Sequence, residues 1–192
     1  MAGRQWGRGG GGRGPESAQA REESPAEQAS RAREICYQQL TARPRTRAEL
    51  HEALLRKDIA EDVAEQVLGR LNEVGLIDDA AFAEVWVRSR HNHQGLARRA
   101  LAAELRRKGV ADTLAAEAVA AVDDESEEER ARQLVRKRMR VLGGVDETTR
   151  IRRLVGVLAR KGYSEGMAFR VVRDELRNAD LDADQLDGPA LD

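Results

Sequence analysis

One ten-residue pattern occurs three times in this chain, and it constrains the fold more than any other feature. The copies are Leu50-x-x-x-Leu54-x-x-Lys57-Asp58-Ile59, Leu101-x-x-x-Leu105-x-x-Lys108-Gly109-Val110 and Leu154-x-x-x-Leu158-x-x-Lys161-Gly162-Tyr163. Leucines four apart share one face of a helix. The lysine near the end complements the negative end of the helix dipole. Gly109 and Gly162 stand where a helix commonly stops in a left-handed turn, so a positive φ is expected there. Asp58 takes that place in the first copy, and a short polar side chain tolerates it. An apolar residue follows each turn, and further apolar residues come four and eight positions on: Val63 and Val67, Leu114 and Ala118, Met167 and Val171. Copies about fifty residues apart describe one helical unit used three times.

Composition suits such an array. Of the 192 residues, 35% are charged and only 3% aromatic, which fits helices with solvated outer faces and thin Leu/Val/Ala seams. Strand-like alternation is nearly absent. The single cysteine, Cys36, excludes an internal disulfide and fits a reducing compartment. No stretch approaches the roughly 18 apolar residues of a membrane span, and the N-terminus lacks the apolar run of a secretory signal. A cytoplasmic, monomeric protein is expected.

Taken in order, residues 1–27 form a Gly/Arg-rich tail too poor in apolar residues to order itself. Gly7, Gly9 and Gly12 match GxGxxG, but no strand precedes them and no helix opens on them, so they do not make a dinucleotide site. Arg4, Arg8, Arg13 and Trp6 could touch a nucleic acid, although a plain flexible tail is the simpler reading. Residues 28–77 form the first unit. Pro44 ends its first helix, and Thr46-Arg47-Ala48-Glu49 is a capping box that starts the second. Residues 78–122 form the second unit, which opens on Asp78-Asp79 and carries Phe82 and Trp86 as core residues. A buried Trp86 requires a partner for its indole N–H. His91 and His93, with no cysteine or carboxylate cluster beside them, make a poor metal site. Residues 123–178 form the third unit, with its last helix over 164–177. Residues 179–192 are an acidic tail.

The middle copy is the most informative stretch. Gly75-Leu76-Ile77-Asp78-Asp79, Phe82-Ala83, Arg88-Ser89-Arg90, Gly95, Arg98-Arg99, Glu104-Leu105 and Lys108-Gly109-Val110 together resemble the RecX family, the regulators of the bacterial recombinase RecA. The resemblance covers about residues 31–178. The family's Gly-Lys-Gly-Pro-like break reads His93-Gln94-Gly95-Leu96 here, without the proline. The resemblance implies an all-α fold of three tandem three-helix repeats in an elongated, curved array. It also implies a partner, the RecA filament on single-stranded DNA. The expected function is to inhibit the filament's ATPase, strand-exchange and coprotease activities, with single- or double-stranded DNA as a weak secondary partner.

The residues themselves show no catalytic constellation, no phosphate loop and no cofactor motif, so a non-enzyme is expected. What they do show is segregated charge. Residues 34–84 carry a net −5, 85–110 a net +6, 111–129 a net −8 and 130–161 a net +9. The candidate partner-binding cations are therefore Arg88, Arg90, Arg98, Arg99, Arg106, Arg107 and Lys108 in the second unit. In the third they are Arg132, Arg136, Lys137, Arg140, Arg152 and Arg153. For most single arginines the simpler reading is a solvated outer face. The alternative function is a stand-alone helix-turn-helix DNA binder. The threefold repeat speaks against it, since such a factor needs one reading head.

Overall fold

The computed structural model describes residues 23–186, and these fold as nine α-helices with no strand among them. The first unit comprises α1 (Pro25–Ala42), α2 (Arg47–Leu55) and α3 (Glu61–Glu73). The second comprises α4 (Asp79–Ser89), α5 (Arg98–Arg107) and α6 (Asp112–Ala120). The third comprises α7 (Asp124–Met139), α8 (Glu147–Arg160) and α9 (Glu165–Leu186). The readings on Arg4, Trp6, Gly7, Arg8, Gly9, Gly12 and Arg13 lie outside the described residues.

Local chemistry accounts for most of the helix ends. Ser24 and Thr46 each form a complete capping box, with Glu27 and Glu49 respectively. Asp78, Asp123 and Asp146 cap α4, α7 and α8 by accepting a backbone N–H three residues on. The capping box on Ser24 moves the start of the first unit ahead of residue 28. The three turns behave alike: Asp58, Gly109 and Gly162 have φ of 57°, 75° and 89°. At each turn the apolar residue's N–H returns to the carbonyl of the second leucine, Ile59 to Leu54, Val110 to Leu105 and Tyr163 to Leu158. That bond satisfies a carbonyl which the end of the helix leaves unpaired.

Each unit has its own core. All six repeat leucines, Leu50, Leu54, Leu101, Leu105, Leu154 and Leu158, are fully buried. Removing each from water contributes about 1.5–3 kcal/mol. Cys36 is buried in the first core beside Leu50 and Leu68, and burial pushes its thiol pKa up to about 11. Phe82 and Val87 fill the second core, with the Trp86 ring stacked on Phe82 at 5.6 Å.

Two segments depart from expectation. The last helix does not end near residue 177 but runs to Leu186. No helix breaker occurs before Gly188-Pro189, and acidity alone does not stop a helix. Second, α4 does not simply end before Gly95. It widens into a π-turn over Arg90–Gln94 and then stops at Gly95, whose φ is 64°. Such widened turns are rare inside α-helices.

Candidate partner-binding surface

The basic side chains sit on a framework of two equivalent joints. In both, the N-terminus of a unit's second helix receives groups from the next unit. The Arg47 backbone N–H donates to Asp79 of α4 at 2.9 Å, and the Arg98 backbone N–H donates to Glu127 of α7 at 2.7 Å. The Lys-Gly turn of the next unit then covers the same helix end. At the first joint, the buried Thr46 hydroxyl donates to the Lys108 carbonyl at 2.6 Å. At the second, the Ala97 backbone N–H donates to the Lys161 carbonyl at 2.9 Å. The glycines make this approach possible. A Cβ on Gly162 would stand 2.6 Å from the Ala100 Cβ, and one on Gly109 would collide with the Ala48 Cβ.

The π-turn belongs to the second joint. Arg130 of α7 donates from Nε to the His91 carbonyl at 3.1 Å and also bonds the Asn92 carbonyl. Lys161 Nζ donates to the Gln94 carbonyl, and the Tyr163 hydroxyl donates to the Gly95 carbonyl at 3.1 Å. Burial pushes the Tyr163 phenol pKa well above its ordinary value, so it stays a donor. The Asn92, Gln94 and Gly95 carbonyls are thus taken up by the third unit, while the His91 carbonyl accepts both Arg130 and the Gly95 backbone N–H. His91 is buried, with Nδ1 at 3.0 Å from the Leu96 carbonyl, and His93 is exposed.

This framework divides the candidate cations. Several are engaged within the protein. Arg98 binds Glu127 and Asp124 across the second joint. Lys108 Nζ meets Glu49 across the first joint at 2.9 Å and lies 4.3 Å from the Trp86 ring centre. Arg90 stacks over the other end of this cluster, 4.1 Å from the Trp86 ring centre and 3.5 Å from Glu104. The Trp86 indole N–H donates to that same Glu104 at 2.8 Å. Arg136 binds the buried Glu175 of α9 through Nε at 2.7 Å, and Arg132 pairs with Glu128 and Glu175. Arg106 pairs with Asp112 in the open. By contrast, Arg88, Arg99, Arg107, Lys137, Arg140, Arg152 and Arg153 are exposed and have no carboxylate partner among the described residues.

Reasoning from charge blocks passed over Arg138 and Arg160. With Arg152 and Arg153 they line an open hollow of about 350 Å³ over Gly156 and Val157. The spacing 152, 153, 156, 157, 160 is one face of α8, so the set was readable from helical periodicity. Arg138 comes from α7 and was not. A larger groove of about 680 Å³ between α4, α6 and α7 is mixed in charge, with Glu84, Glu117 and Glu129 facing Arg88 and Arg130. Among the described residues, no group of three His, Cys, Asp or Glu side chains is placed to hold a metal ion, and no helix is long and apolar enough to cross a membrane.

Fold and surface define an all-α array of three three-helix units joined head to tail, with cations displayed on its outer faces. Sequence models of the first, second and third three-helix domains of RecX match residues 32–71, 78–119 and 125–172. The chain belongs to the RecX family. It is 53% identical over 168 residues to the regulatory protein RecX of Amycolatopsis mediterranei, covering 88% of this chain and 96% of that one. It is 54% identical over 164 residues to that of Streptomyces coelicolor, covering 85% and 87%. The crystal structure of RecX from Lactobacillus salivarius superposes with a TM-score of 0.71 at 23% identity, covering 78% of this chain and 97% of that one. A second crystal structure, of a regulatory protein RecX, gives 0.70 at 26% identity, covering 78% and 73%.

Proposed function

We propose that this protein regulates the RecA recombinase in the cytoplasm, acting by binding rather than catalysis. In this reading it seats on the RecA filament assembled on single-stranded DNA and inhibits its ATPase, strand-exchange and coprotease activities. The observation that carries the reading is the full set of three RecX domains, present in order and fixed to each other by buried polar joints. Joints of this kind let stacked units act as one extended body, a shape suited to a long, repeating partner. The outward cations left after the joints are made, Arg88, Arg99, Arg107, Lys137, Arg140, Arg152 and Arg153, suit a partner that presents phosphate and acidic side chains together.

A helix-turn-helix reading is weaker. The helices that follow the repeat turns are the ones that would enter a DNA groove. Yet α6 carries Asp112 and Glu117 and no base, α3 has Arg70 against four acids, and α9 has three arginines against six acids. None suits a polyanion.

The test is the single-stranded-DNA-dependent ATPase of RecA with this protein titrated in. Dose-dependent inhibition is expected. An ATPase rate unchanged by a molar excess of folded protein would refute the role.

A further inference from the structure

We infer that the arginine-lined hollow on the third unit is a binding site for the phosphodiester backbone of a nucleic acid. The inference deepens the proposed function by assigning the nucleic-acid half of the partner to one named surface.

The repeat itself shows that this surface is not meant for another helical unit. In the first two units, the N-terminal end of the second helix is covered by the next unit's turn. Counting back from the first repeat leucine, Arg152 and Arg153 of α8 stand where Ala48 and Glu49 stand in α2. Ala48 is the residue that touches Gly109, and Glu49 is the residue that binds Lys108. A fourth unit, or the Lys57-bearing turn of a second copy of this chain, would bring its lysine against Arg153 instead of a carboxylate. Like charges at contact disfavour that occupant. The helix end is altered too. α2 and α5 begin at Arg47 and Arg98, three residues before their leucine, whereas α8 begins at Glu147, one turn earlier, under its own cap Asp146. Arg153 is what distinguishes this helix end from the two joints, since Glu49 binds Lys108 and Ala100 meets Gly162 at the matching positions, whereas Arg152 has an arginine counterpart in Arg99.

The chemistry of the rebuilt surface selects an anion. Arg138, Arg152, Arg153 and Arg160 surround one hollow, and none has a carboxylate partner among the described residues. Nearby, Arg150 has a buried Nε with no hydrogen-bond partner, at the position where Thr46 donates across the first joint. Gly156 leaves the floor without a side chain. Elsewhere among the described residues an acidic side chain is met by one or two arginines in a built pair or network: Glu127 by Arg98, Glu175 by Arg132 and Arg136. Four unneutralised guanidinium groups around one opening exceed what a carboxylate needs. They fit a chain that brings a charge at every residue, each with oxygens that accept a forked donor pair.

The experiment uses the full-length protein and a labelled oligothymidylate of about twenty nucleotides, titrated over a salt series. The parent should bind with a negative slope of log K against log salt. The variant R138Q/R152Q/R153Q/R160Q, checked by circular dichroism, should bind more weakly with a slope shallower by roughly two to three, since each lost single-strand contact removes about 0.7. Independently of any variant, the oligonucleotide should protect these four arginines of the parent from phenylglyoxal, read by mass spectrometry. An unchanged slope in the folded variant, or equal modification with and without oligonucleotide, overturns the site. Equal protection by polyglutamate would assign the hollow to an acidic protein segment, and equal protection by inorganic phosphate to a small anion; either result overturns the proposal. If protection fails while RecA ATPase is still inhibited, only this site falls. If protection is seen while inhibition is absent, the regulatory reading falls and the site stands.

Discussion

The Thr46 hydroxyl serves two units at once. Its oxygen accepts the Glu49 backbone N–H at 3.1 Å as an N-cap, and its single proton goes to the Lys108 carbonyl at 2.6 Å across the first joint. Thr46→Val keeps the shape and removes both bonds. The expected loss is about 2–3 kcal/mol, combining a cap with a stranded buried carbonyl. Thr46→Ser should retain most of the stability. Urea denaturation of the three proteins decides it, and a valine variant as stable as the serine variant contradicts the assignment.

Two glycines with similar backbone angles should respond differently to alanine. Gly144 has φ of 80° with open space around it, and Gly162 has φ of 89° against Ala100. Gly144→Ala should cost only the left-handed penalty, about 1 kcal/mol. Gly162→Ala must also push the third unit away from the second, so its cost should be clearly larger. Equal shifts in thermal midpoint would mean that the joint is looser than the packing indicates.

Acid should loosen the first joint. Burial pushes the Glu49 carboxyl up, but the Lys108 and Arg43 side chains and the Thr46 N–H outweigh it, so the group titrates below its ordinary value of 4.5. A carboxyl with a lowered folded pKa adds stability that is complete above its unfolded pKa and is lost as pH falls through the folded value. The stability difference between the parent and Glu49→Gln should therefore be full near neutrality and close as the pH falls below about 4.5. A gap that stays constant down to pH 3 would show that ionised Glu49 contributes nothing at the joint.

On α5 the arginines should separate by role. Arg99→Gln with Arg107→Gln leaves the joints intact and keeps a good helix former. This pair should leave the melting temperature within about a degree or two, in line with ordinary surface changes, and weaken RecA inhibition. Arg98→Gln breaks the Glu127 and Asp124 contacts and should lower the melting temperature first. If the surface pair inhibits like the parent across a range of salt, those cations are only solvating.

Much of the fold was legible because its signals are local. The leucine pairs, the Thr46–Glu49 capping box and the three left-handed turns involve residues a few positions apart, where helical geometry ties spacing to contact. The indole partner that Trp86 required also exists, as Glu104. The joints were not legible. Thr46 to Lys108 and Gly95 to Tyr163 are pairings of distant residues, and no periodicity marks them. For the same reason, block charge could not tell Arg98, held by Glu127, from its neighbour Arg99, which faces outward. The π-turn escaped because it is stabilised by Arg130 and Lys161 of another unit, not by its own residues.

Cys36 gives this molecule an internal clock. It is the chain's one thiol, and it lies at zero exposure in the first core with a pKa near 11. A thiol-reactive dye can reach it only when α1 lifts from α2 and α3, because the thiolate and the access path are both missing in the closed state. The labelling rate in native buffer therefore counts openings that expose the first core, without any engineered reporter. Measured with and without a bound partner, that rate would tell whether engagement of the distant third unit is felt at the opposite end of the array.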